Sequence, residues 1–144
     1  MKIAIASDHG GVRLKAELVA LLRERKDVEL EDLGTQGTDA VDYPDYAHRV
    51  AKGILEGTWQ RGILVCGTGV GMAISANRHQ GIRAVNCSDT YTAKLSRDHN
   101  DSNVLCIGER VVGPGLAWDI VQIWLDAPAS DGERHVRRRA KIDD

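Results

Sequence analysis

The chain has 144 residues, 42% of them hydrophobic and 4% aromatic with no Phe, and a formal net charge of −2. That is enough for one domain with one aliphatic core, and the near-neutral charge excludes nucleic-acid binding by bulk electrostatics. No apolar run approaches the ~20 residues that cross a bilayer, so no membrane partner is expected.

The three cysteines, at 66, 87 and 106, are an odd number and suit reduced thiols better than a disulfide framework. The chain enters its first strand without the charged, apolar and cleavage segments of a leader, and a cytoplasmic protein is expected.

Residues 2–7 (KIAIAS) form a short apolar strand that ends in Ser7-Asp8-His9-Gly10-Gly11. From 12 to 25 the apolar positions 14, 18, 21 and 22 recur at helical spacing, with Lys15, Glu17, Arg23 and Glu24 on the other faces. Residues 28–33 alternate apolar and acidic side chains, as a strand near the sheet edge does. A loop rich in Gly, Thr and Asp runs over 34–44 and closes on Tyr43-Pro44, which suits a helix start; a helix over 46–55 follows.

Residues 62–66 read as a buried strand that stops at Cys66, followed by glycines at 67, 69 and 71 and a helix to about 78. A strand over 82–87 precedes a helix over 88–95, with Ser88 as its natural cap. His99-Asn100-Asp101-Ser102-Asn103 is a polar turn, 104–107 a fifth strand and 116–125 a helix with an Ile120, Val121 and Trp124 stripe. After Pro128 comes a basic helical arm over about 131–141.

Five alternations of strand and helix predict a single α/β domain over 1–144. It is three-layered and Rossmann-like, with a five-stranded parallel sheet and a C-terminal helical tail. Asp8-His9, Cys66–Gly71, Ser88-Asp89 and His99-Asn100 are all expected on the edge formed by the strands' carboxyl ends. Four polar clusters on one edge of an apolar sheet predict an active site there.

The Cys66 loop carries the chemistry. Convergent backbone N–H groups and a helix start favour a negative charge, and a thiol beside them can act as base or nucleophile. Such loops also occur for packing alone, and free cysteines are often buried and inert. The spacing G-x-G-x-G after a third strand is not the dinucleotide fingerprint, and no Lys-Ser/Thr follows to make a phosphate loop. Met72 stands where a cysteine phosphatase needs arginine. A zinc site drawn from Cys66, His9 and His99 has no short-spaced ligand pair to start it.

Enolisation of a phosphosugar fits better: a thiolate takes a carbon-bound proton, backbone N–H groups hold the enediolate oxygen, and a histidine opens the sugar ring. Arg134, Arg137 and Arg138 are spaced for two guanidiniums to meet one phosphate. They equally fit a solvated terminal helix. His48 and His79 read as surface residues, His135 as incidental, Cys87 and Cys106 as small core residues.

Taken together, Ser7–Gly11, Asp42-Tyr43-Pro44-Asp45-Tyr46, Cys66–Gly71, Gly81–Ala84, His99–Leu105 and Gly108–Gly113 closely resemble the ribose-5-phosphate isomerase B family and its sugar-phosphate isomerase relatives, over nearly the whole chain. The resemblance implies aldose–ketose isomerisation of ribose 5-phosphate and ribulose 5-phosphate without metal or organic cofactor. Cys66 would shuttle the proton, and Thr68 and His99 would assist ring opening. Asp8, Tyr43, Asn100 and the N–H groups of Gly67, Gly69, Val70 and Gly71 would meet the sugar. His9, Arg110, Arg134 and Arg138 would hold the phosphate, with Arg138 favoured over Arg137. A homodimer with shared sites, in some members paired into a tetramer, is also implied. Met72 stands where one branch carries a catalytic glutamate, so the thiol branch applies. Relatives act on tetrose 4-phosphate, allose 6-phosphate or galactose 6-phosphate, and a non-catalytic phosphosugar-binding protein is the competing class.

Overall fold

The computed structural model describes residues 1–144. Five strands, β1 (Lys2–Ser7), β2 (Glu29–Asp32), β3 (Arg61–Cys66), β4 (Ala84–Asn86) and β5 (Val104–Gly108), alternate with helices. The helices are α1 (Val12–Glu24), α2 (Tyr43–Leu55), α3 (Val70–Ala76), α4 (Thr90–Asp98), α5 (Pro114–Asp126) and α6 (Glu133–Ala140). The sheet order is β2-β1-β3-β5-β4 and every pairing is parallel, as the α/β expectation requires. The chain order reverses between β1 and β3, and that crevice is where ligands of such sheets bind.

Side-chain alternation along each strand builds a core on each face. Ile3, Ile5, Ile63, Val65, Leu105 and Ile107 meet α1, α4 and α5; Ala4, Ala6, Leu64, Cys66, Val104 and Cys106 meet α2 and α3. With no Phe, the fully buried Trp124 supplies bulk, and its Nε1 donates to Ser102 Oγ at 2.8 Å.

Local details differ from the sequence expectations in ways that side chains explain. Helix α2 starts at Tyr43, three residues early, because Pro44 sits inside its first turn, where a missing N–H does no harm. Asp89, not Ser88, caps α4, accepting from Thr92 N–H at 2.6 Å. Strand β4 keeps only three residues. Its outer edge is closed by the Asn77 amide, which donates to Ala84 O and accepts from Ala84 N–H, both at 2.8 Å.

Lys15, expected on an exposed face, is 1% exposed, with Nζ at 2.7 and 2.8 Å from the two Asp32 oxygens. Burial pushes the Asp32 carboxyl up, but hydrogen bonds from Lys15, Gly34 N–H and Gln36 outweigh it and hold the group below the usual carboxylate range. Stability from this pair is therefore present at neutral pH and lost as the pH falls through the lowered value. Lys15→Met leaves the carboxylate without its cation and is expected to lose about 3–5 kcal/mol. A urea unfolding midpoint measures the loss, and a change under about 1 kcal/mol would contradict it.

Candidate active site

Cys66 ends the central strand, and its sulfur accepts a hydrogen bond from Gly69 N–H at 3.0 Å. The residue is 5% exposed, at the rim of the aliphatic layer beneath α2 and α3. Gly69 turns with φ +81, which suits glycine, and a Cβ there would collide with Asn86 Oδ1. Thr68 Oγ1 accepts from Val70 N–H at 3.3 Å, while the N–H groups of Gly67 and Thr68 donate to nothing within the chain.

The neighbours of this loop come from the turn after β1, the turn after β5 and the start of α2. Asp8 caps the short turn after β1, Oδ1 accepting from Gly10 N–H at 2.9 Å. Gly10 in turn presses against Gly67: a Cβ on it would lie 3.3 Å from Gly67 N. Arg110, in the turn after β5, lies across Gly67, where a Cβ would stand 3.5 Å from Nη1. The Tyr43 ring packs on Gly71, so that a Cβ there would come within 2.7 Å of it. His9 Nδ1 accepts from Val41 N–H at 3.2 Å, which leaves Nε2 to carry the proton of the neutral ring. Asp8, His9, Tyr43, Cys66, Gly67, Thr68, Gly69, Val70, Gly71 and Arg110 thus gather at the carboxyl edge.

His99 and Asn100 do not join them, contrary to the expectation from sequence. Helix α4 begins beside the carboxyl end of β4 and carries the chain back, so His99 caps it at the amino edge. Four rises of β5 separate the two edges by about 13 Å. The His99–Asn103 turn is fixed there: Arg83 Nε donates to Asn100 O at 2.9 Å, and Arg97 Nη1 donates to Asp101 Oδ1 at 2.6 Å. Helix α6 docks beside it. His135 stacks on His99 with ring centroids 4.4 Å apart and planes 10° from parallel, and Arg139 Nη1 reaches His99 O at 3.5 Å.

His135 and Arg139 mark the inward side of α6. At about 100° per residue, Arg137 then points some 180° from their midpoint and Arg138 only about 80°. Arg134 and Arg138 are both exposed, close to His135. With His99 at the far edge, the zinc set drawn from Cys66, His9 and His99 is not assembled within one chain.

The other two thiols lie deeper in the core, at 1% and 0% exposed. Burial, helped by Asp89, pushes Cys87 up to about 12, and burial also drives Cys106 well above the thiol range, so both stay protonated at neutral pH. His48 and His79, read as surface residues, are half-buried and joined, Nδ1 to Nε2, at 2.8 Å. Burial, then His48 and Lys52, hold His79 below the usual histidine value.

One residue escaped the sequence reading. Asn86 Nδ2 donates to Thr68 O at 3.2 Å, and that carbonyl belongs to the same peptide group whose N–H points at the Cys66 sulfur. No motif marks it; only the pairing of β4 with β5 brings it there. A cavity of about 330 Å³ borders Thr68, Val70 and Asn86, and one of about 530 Å³ borders Arg83, Asn100 and Asp143. Neither includes Cys66.

A family model described as Ribose/Galactose Isomerase matches residues 3–142. The chain is 53% identical to Escherichia coli ribose-5-phosphate isomerase B over 95% of its own length and 91% of that protein's. It is 42% identical to the D-erythrulose-4-phosphate isomerase of Pectobacterium atrosepticum, covering 92% and 87% of the two chains. The solved structure of Clostridium thermocellum ribose-5-phosphate isomerase B superposes with a TM-score of 0.95 at 50% identity, over 99% of this chain and 95% of that one. No helix here is long and apolar enough to cross a membrane.

Proposed function

The chain belongs to the ribose/galactose isomerase family and is a sugar-phosphate isomerase; from that premise we propose that it interconverts ribose 5-phosphate and ribulose 5-phosphate with Cys66 as the base. The observation that carries this reading is the Cys66 sulfur at the tip of β3, with Gly69 N–H on it and free N–H groups at Gly67 and Thr68 beside it. The thiolate removes the proton from C2 of the open-chain aldose, and the C2 electrons form a C1–C2 double bond as charge moves onto O1. Backbone N–H groups hold that charge. The sulfur then returns its proton to C1, while O1 gains a proton and O2 loses one to become the ketose carbonyl.

His99, with Thr68, assists opening of the sugar ring; Asp8, Tyr43 and Asn100 meet the hydroxyls. His9, Arg110, Arg134 and Arg138 hold the phosphate. Because the two groups of residues lie on opposite edges, the reading requires a second copy: one subunit supplies the Cys66 loop and its partner supplies the His99 turn and α6. A two-fold homodimer makes two such sites.

The substrate is the finer question, since the relatives' names include a C5 and a C4 sugar phosphate. Purified protein assayed on C4, C5 and C6 aldose phosphates, each with and without a chelator, tests it. The highest kcat/KM is expected for ribose 5-phosphate, unchanged by the chelator. A preference for another chain length would move the substrate assignment, and tight binding without turnover would favour a sensor.

A further inference from the structure

His135 is the one side chain of α6 that is buried, at 8% exposed, in a helix that carries four arginines. Two contacts of its ring are to residues of the amino-edge half-site. One face of its ring lies parallel to His99 at 4.4 Å. Its Nε2 accepts from Arg134 Nε–H at 3.2 Å, which leaves the ring proton on Nδ1. Arg134 held through Nε keeps both terminal nitrogens free, the fork that grips a phosphate by two bonds.

We propose that His135 is a positioning residue that sets two working groups at once: it fixes the plane of the His99 imidazole by stacking and aims the Arg134 guanidinium by accepting from its Nε. This rests on the function proposed above, in which His99 opens the sugar ring and Arg134 binds phosphate. Without His135, His99 would lose the surface that holds its ring upright, and Arg134, an exposed and flexible side chain, would have to be ordered by the ligand itself.

Two substitutions separate the roles. His135→Phe keeps a flat ring against His99 but offers Arg134 no acceptor; His135→Gln keeps a carbonyl acceptor but removes the stack. The forward reaction starts from a ring-closed aldose. The reverse starts from ribulose 5-phosphate, whose phosphorylated O5 cannot close a furanose, so it needs no ring opening. The Phe variant is expected to raise KM about tenfold in both directions with kcat near that of the unsubstituted protein, the size of a lost hydrogen bond to a charged group. The Gln variant is expected to lower forward kcat about three- to tenfold, the range of a lost stacking contact, and to leave reverse kcat unchanged.

Equal losses in both directions and both parameters for the two variants, or no change in either, would overturn the proposal. Should one variant fail to fold, the other decides alone, since each predicts loss on one axis and not the other. If the unsubstituted protein does not turn over ribose 5-phosphate, the function fails before the variants are compared; if it does and the variants do not separate, only the role of His135 fails.

Discussion

Cys66→Ala is expected to lower turnover of ribose 5-phosphate by about 10³-fold or more, because no other group at the carboxyl edge is proposed to take the C2 proton. Binding should survive: the phosphate contacts come from His9, Arg110, Arg134 and Arg138, and the substitution removes a single atom at the rim of the core. Deuterium uptake at C2 of recovered ribose 5-phosphate in heavy water measures the proton step directly, and calorimetric binding of the same sugar measures the rest. Exchange within tenfold of the unsubstituted protein would remove Cys66 from the chemistry. Cys87 and Cys106 are poor substitutes, since burial keeps both protonated.

Mixing two inactive variants should restore activity, which is the larger test of where the site lies. Cys66→Ala damages a site through one subunit and His99→Ala through the other. In a two-fold dimer of one variant chain with the other, both lesions fall in the same site and the second site is intact. Random exchange makes half of the dimers mixed, so about a quarter of the unsubstituted activity is expected from a 1:1 co-refolded sample. Activity no higher than the sum of the two parents would mean that Cys66 and His99 do not serve one site across an interface.

The fold was legible because four of the five strands are short aliphatic runs, β2 shows its own alternation of apolar and acidic residues, and α1, α2 and α5 carry apolar spacing. The carboxyl-edge cluster was legible for a related reason: Asp8 directly follows a strand and Cys66 ends one, and the last residues of a parallel strand lie on that edge. His99 was misassigned because it follows a helix, and a helix returns the chain to the opposite edge. Lys15 was misread because its partner, Asp32, lies in another element and is close only in space. Asn86 was missed, and His135 was read as incidental, for the same reason. Their significance lies in which peptide or ring they touch, and a contact of that kind has no periodicity to announce it.

The distance between the two edges has a consequence for how such an enzyme works at low abundance. Under the shared-site reading a solitary chain holds half of the machinery at each end of a rigid plank, and neither half can reach the other. Specific activity then falls on dilution by mass action, and the catalytic rate becomes a gauge of association.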